Sequence, residues 1–299
     1  MSRAVSSSGE KHYGLARVCR VWEIPRSTVY AHKARANAGE YHPKKRGPKG
    51  PYSDSELTEK IRHILCDSPF SGEGHRKVWA RLRFKRILTS KRRVLRLMGE
   101  NDLLAPHRVG RPHGPKAHDG TITTDAPDLM WGTDMSTTVT IGEGTAHVFV
   151  AVDHCASECV GIHAAKSGDR FEALEPVHQG IREHFGRVEK DIADGLGLRH
   201  DHGSNYMSHD FQKQIEFLGI ESSPAFVKEP EGNGCAERFI RTLKENLLWV
   251  RYFETIEELR QALIEFKEIY NTTWLMERHG YKTPFQVREE FSSGLKEAA

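Results

Sequence analysis

At 299 residues the chain is long enough for more than one domain, and a hydrophobic fraction of 37% is enough for a core, while no run approaches the roughly 20 apolar residues of a membrane span. The net charge of +3 hides an asymmetry: residues 1–120 carry 26 Lys+Arg against 11 Asp+Glu, a net of +15, and the remainder carries 18 against 30, a net of −12. That division points to a polyanion-binding front joined to a cation-binding back, and five scattered cysteines with no CxxC pair exclude a disulfide framework.

Taken in order, the Ser-rich stretch Met1 to Glu10 has no apolar core and reads as a disordered tail rather than a signal peptide. In residues 11–41, Leu15, Val18, Cys19 and Trp22 share one helical face. Ile24-Pro-Arg-Ser27 reads as a turn, with Ser27 placed to cap a helix from Thr28 to Arg35. This is a helix-turn-helix pattern, and Arg26 is its candidate DNA contact. Three prolines and two glycines bar a helix from residues 42–52, which are expected to be a basic linker. Residues 53–106 hold three predicted helices. The first opens on a Ser53-x-x-Glu56 capping box and carries Leu57, Ile61, Ile64 and Leu65. The second, Gly74 to Arg86, carries Val78, Trp79 and Leu82; the third, Ser90 to Gly99, carries Val94, Leu95, Leu97 and Met98. Arg76, Lys77, Arg81, Lys91, Arg92 and Arg93 give this region its candidate phosphate contacts. A second basic linker is expected at 107–125.

From residue 126 the pattern changes. Asp134 heads a β-branched run to Ile141, Gly142-Glu-Gly144 reads as a hairpin turn, and His147 to Val152 is a continuous apolar run, the mark of a strand covered on both faces. Glu158 to His163 gives a third strand, Asp169 to Phe185 an amphipathic helix, and Leu196 to His200 a short strand with Asp201 at its end. Glu237 opens a helix striped by Phe239, Leu243 and Leu247. The order is β-β-β-α-β-α. Ile256 to Tyr270 and a short helix from Thr283-Pro-Phe285 close the domain at 290, leaving 291–299 as a tail. Cys155 and Cys159 beside His154 have the look of metal ligands, but cysteines in or beside apolar strands read as core.

Three acids stand in distinctive surroundings: Asp134 in Trp131-Gly-Thr-Asp-Met-Ser136, Asp201 in His200-Asp-His-Gly-Ser-Asn-Tyr206, and Glu237 in Gly232-Asn-Gly-Cys-Ala-Glu-Arg-Phe239. Sixty-six residues separate the first two and 35 the last two. Carboxylates suit Mg²⁺, which takes oxygen ligands, and two such ions about 4 Å apart can serve phosphodiester chemistry.

These motifs resemble the catalytic core of the retroviral-integrase superfamily, in particular bacterial insertion-sequence transposases with a DDE triad. Tyr270-Asn271 and His279-Gly-Tyr-Lys-Thr-Pro284 match that pattern too. The sequence departs from it at His202, Asn205 and Cys235, and at Glu73 and His75 where the family carries aromatics. The resemblance implies an α/β, RNase H-like core preceded by all-α helix-turn-helix DNA-binding regions. It implies Asp134, Asp201 and Glu237 as catalytic and metal-ligating residues, holding two Mg²⁺ or Mn²⁺. It further implies DNA cleavage and strand transfer at element ends. Lys244, seven residues after Glu237 and so on the same helix face, is where the family carries a base; it and Arg241 are candidate DNA contacts. Expected partners are double-stranded DNA, further copies of the chain, and an upstream-frame protein, in the cytoplasm on the nucleoid. The alternatives are a resolvase or RNase H-like nuclease on the same fold, and a non-catalytic DNA-binding regulator or decayed copy.

Overall fold

The computed structural model describes residues 4–7, 9–37, 50–106, 122–225 and 233–298, and the side chains of these up to 293. Most of the two expected basic linkers, and Gly232, lie outside the described residues. Two compact units divide the chain, Met1–Pro51 and Tyr52–Ala299.

In the first unit, the expected tail includes an antiparallel bridge between Val5 and His12. Helix α1 (Leu15–Val21) and helix α2 (Arg26–Asn37) follow. The second helix starts two residues earlier than expected, so Ser27 lies inside it rather than at its cap. Pro25 supplies the reason: its fixed φ suits a helix start, and its carbonyl accepts from Thr28 N at 3.0 Å. Cys19 is buried, but Trp22 is 56% exposed and α2 buries nothing.

The second unit begins with three helices: α3 (Asp54–Asp67), α4 (His75–Phe84) and α5 (Lys91–Glu100). The capping box forms as expected, Ser53 N donating to Glu56 Oε2 and Glu56 N to Ser53 Oγ. Leu57, Ile61, Ile64, Val78, Leu82, Val94, Leu97 and Met98 make their shared core. Phe70, between α3 and α4, leaves that core. Its ring meets Phe266 and Trp274 edge-on, centroids 6.2 and 4.8 Å away. Arg81 Nε and Nη2 donate to Glu73 at 2.7 and 2.8 Å, and Nη2 also reaches Thr273 O.

The sheet has five strands: β1 (Met130–Thr140), β2 (Gly144–Asp153), β3 (Cys159–Ala165), β4 (Gly197–His200) and β5 (Glu221–Pro224). Their order is β3-β2-β1-β4-β5. The first three are antiparallel, and β4 and β5 are parallel to β1 and to each other. This is the RNase H-like arrangement. Helices α6 (Arg170–His184) and α7 (His209–Phe217) lie on one side of it, and α8 (Gly234–Leu243) and α9 (Ile256–Thr273) on the other. Strand β2 shows why its run is apolar throughout. Ala146, Val148, Val150 and Val152 face α8 and α9, while Phe149 and Ala151 face α6.

Two close contacts set the spacing of these layers. A Cβ at Gly161 would stand 1.9 Å from Pro176 O, so glycine lets α6 sink onto β3. On the other face, Asn271 clamps the start of β3, Oδ1 accepting from Cys159 N and Nδ2 donating to Cys159 O, both at 2.9 Å. Helix α7 and strand β5 were not expected. Strand β5 is a four-residue polar edge, and α7 has nine residues under a Ser208 cap. Helix α10 (Pro284–Ala298) runs through the expected tail, started by a Thr283–Gln286 capping box.

Phe70→Ala tests whether α3–α5 and the sheet domain unfold together. Removing a buried Phe costs about 3–5 kcal/mol, so the single urea transition of the Tyr52–Ala299 unit is expected to shift to lower denaturant without splitting. Two separate transitions, only one of them shifted, would contradict the packing described here.

Candidate active site

The register of β1 and β4 decides where the first two acids go. The parallel pairing ends at Gly132↔Arg199. Asp134 and Asp201 each lie two residues beyond that pair, on neighbouring strands that run the same way. Adjacent strands lie about 4.8 Å apart, and groups just past the carboxyl ends of parallel strands face a common crevice.

Asp134 is half-buried; its Oδ1 accepts from Met135 N at 2.8 Å. Asp201 is exposed, and its Oδ1 accepts from Gly203 N at 2.8 Å, closing a tight turn. Behind it His200 is fully buried. Its Nε2 lies 3.0 Å from Ser222 Oγ on β5, and its ring stacks on Tyr206 at 5.7 Å. Glu237 stands in the first turn of α8, which packs across β1 and β2.

Electrostatics tie the three together. Burial pushes the Asp134 carboxyl up to about 6; Asp201 and Glu237 push the same way, against the Met135 N–H and the Lys244 ammonium. Burial also raises Glu237, opposed by Arg238. The Lys244 ammonium thus acts on Asp134. Asp134, pushed up by burial and by the charges of Asp201 and Glu237, heads a set of three carboxylates from three elements, oxygen donors of the kind that a divalent cation takes. They are not in closed contact. Among the described residues, the trio of ligand side chains with atoms within 4.8 Å of one another is Glu158, Glu183 and His184. That trio is already balanced: Arg288 pairs with Glu158, Lys267 with Glu183, and burial holds His184 down to about 4, hence neutral.

The basic candidates divide into two sets. Arg81 is spent on Glu73, and Arg93 on Asp54 at 2.7 Å and on Tyr52 O at 2.8 Å. Lys77 Nζ sits 2.7 Å from the centroid of Trp274. These three have internal partners that a count of charge does not reveal. Arg76 pairs with Glu277 at 2.7 Å, Lys91 approaches the same carboxylate at 4.0 Å, and Arg241 pairs with Glu245 at 3.0 Å. Of these five side chains all but Glu245 are substantially solvated, and such pairs are weak enough for phosphate to compete. Arg92 and, in the first unit, Arg26 are exposed, and Lys244 is half-buried beside the acids. Cys155, Cys159 and Cys235 are buried free thiols, Cys159 Sγ bonding Gly161 O, in keeping with a core role. Sequence reasoning missed His154, which is buried against Gly132 and Asn233; its only signal was proximity to two cysteines.

Residues 218–284 match a family model described as an integrase core domain. Over 251 residues the chain is 26% identical to the transposase InsD for insertion element IS2A/D/F/H/I/K of Escherichia coli, covering 82% of both chains. It is equally similar to the InsD of insertion element IS2-9 of Escherichia coli strain K12, covering 82% of this chain and 80% of that one. Among solved structures, the catalytic core domain of BIV integrase aligns at a TM-score of 0.41 with 19% identity, over 56% of this chain and 98% of that one. The HTLV-2 integrase catalytic core domain in complex with magnesium aligns at 0.42 with 18% identity, over 55% and 98%. Among the described residues no helix is long and apolar enough to cross a membrane. Over most of its length the chain is thus similar to the insertion-element transposases, and residues 218–284 match the integrase core model.

Proposed function

We propose that the chain is a DDE-type transposase, cleaving DNA at the ends of an insertion sequence and joining those ends to target DNA. The observation that carries this reading is the shared register of Asp134 and Asp201 past the last β1–β4 pair, with α8 bringing Glu237 to the same crevice. Asp134, Asp201 and Glu237 would hold the divalent metal, Mg²⁺ or Mn²⁺, two ions per site in our reading. When bound, such ions activate the attacking oxygen and stabilise the leaving oxygen of a phosphodiester. The chain's own part is to orient. The strand ends fix two carboxylates, the Gly203 turn aims Asp201, and Lys244 adds a positive charge beside Asp134 for a phosphate. A DNA-binding regulator has no use for a buried carboxylate held against two others.

Duplex DNA contact belongs in this reading to the helix-turn-helix at 11–41 and the helices of 53–106, chiefly through Arg26, Arg76, Lys91 and Arg92. Arg241 and Lys244 act near the acids. Further copies of the chain assemble on the DNA, an upstream-frame protein is a further partner, and the work is done on the nucleoid in the cytoplasm.

Asp134→Asn keeps the shape and removes a metal-ligating charge. Cleavage of a labelled duplex carrying the element's own ends, with Mg²⁺, is expected to fall on the order of 10²–10³-fold. Binding of the same duplex in a filter assay should stay within about twofold, since phosphate contacts come from the bases. Equal loss of both in a folded variant would argue against separate roles.

Metal binding should also appear as stabilisation, because a ligand for the folded state raises its melting temperature. Saturating Mn²⁺ is expected to raise the melting point of the wild-type chain, and EDTA to reverse it. Asp134→Asn should show no comparable rise; the same rise in both would place the metal elsewhere. For Lys244→Ala, a cleavage time course is expected to slow at least about tenfold with little change in duplex affinity. Wild-type cleavage by this variant would remove Lys244 from the site.

A further inference from the structure

Asparagine is favoured at helix N-caps because its side chain accepts from the first-turn N–H groups. Asn233 holds the N-cap of α8 and makes no such bond. Its Nδ2 instead crosses to β1 and donates to Thr133 O at 2.9 Å, on the residue that precedes Asp134. The bond is well shielded: Asn233 is 4% exposed and Thr133 fully buried. Strand pairing with β4 stops one residue earlier, at Gly132, so the side chain takes hold of β1 where that ladder ends.

Gly132 is part of the same arrangement. A Cβ there would stand 2.7 Å from Asn233 Oδ1 and 2.8 Å from His154 Nε2. Both atoms are buried without a hydrogen-bond partner. His154 Nδ1 lies 2.9 Å from Ile122 O, and a carbonyl can only accept, so Nδ1 carries a proton. In the neutral ring Nε2 is then an acceptor, and it cannot compete for the Asn233 amide oxygen. The amide is thus left with one strong partner, Thr133 O.

We infer that Asn233 is a positioning residue: it clamps the first turn of α8 to β1 at Thr133, in a notch that Gly132 keeps open, and so fixes Glu237 relative to Asp134. Glu237 lies four positions after Asn233, about one helical turn, and Thr133 adjoins Asp134, so a single hydrogen bond spans the two carboxylates' supports. Loss of such supporting bonds typically costs 10–100-fold in metal affinity.

This inference rests on Asp134 and Glu237 being metal ligands, and its test separates the two ideas. Mn²⁺ affinity is measured by electron paramagnetic resonance of the free ion for the wild type, Asn233→Ala and Asp134→Asn, with melting points alongside. Asn233→Ala is expected to bind Mn²⁺ about 10–100-fold more weakly, to melt within a few degrees of wild type, and to recover cleavage as Mn²⁺ is raised. A merely structural role would lower the melting point and show no recovery with metal, which overturns the clamp. Wild-type Mn²⁺ affinity in Asn233→Ala, with binding lost in Asp134→Asn, also overturns it and leaves the site standing. Unchanged affinity in Asp134→Asn overturns the site and the clamp together. If Asn233→Ala does not fold, Gly132→Ala, which crowds Oδ1 without removing it, is read against the same outcomes.

Discussion

Three residues of parallel pairing between β1 and β4 are the constraint from which the candidate site follows. Without that ladder nothing holds Asp201 beside Asp134, because 66 residues of chain lie between them. The pairing works against a cost: burial, with the charges of Asp201 and Glu237 beside it, raises the proton affinity of Asp134. The fold tolerates this because apolar burial on both faces of β2 holds the strands, and side-chain bonds such as Asn233 to Thr133 hold the ends. A site of this kind is stable by virtue of its surroundings and not of its own contacts.

The helices before the sheet belong to the same economy of charge. Several of the bases that make residues 1–120 strongly positive are internal struts. Arg93 and Arg96 share Asp54, and Arg81 closes on Glu73 against the end of α9. The positive field available to a polyanion is therefore smaller than the count of Lys and Arg suggests. Phe70 fastens this region to α9 by ring contacts rather than by charge, so salt screening leaves that attachment largely untouched.

Much of the sheet was legible in the sequence for physical reasons. The double-sided burial of β2 writes itself as an unbroken apolar run, and the caps at Ser53 and Ser90 stand where helices begin. Asp201 at a strand end and Glu237 in a first helical turn were readable in the same way. Other parts left no periodic trace. Strand β5 is too short and too polar to alternate, and α7 offers nine residues between two loops. Arg81 and Lys77 looked like surface bases because their partners, Glu73 beside them and Trp274 nearly 200 residues away, are a matter of tertiary packing. That Gly132 must be glycine could not be seen either, since the atoms that demand it come from Asn233 and His154.

The seat of α6 on β3 carries one more implication. With Pro176 O only 1.9 Å from where a Cβ at residue 161 would lie, helix and strand cannot be separated by any ordinary side chain. No local rotamer relieves the clash, because the obstructing atom is backbone. In any related chain the residue at this position is then a depth gauge: glycine marks a helix sunk to the sheet's backbone, and anything larger marks one that rides higher. A shallower helix would shift the packing around Trp131, which Gly180 of the same helix also admits to close contact, and would carry the start of β1 with it.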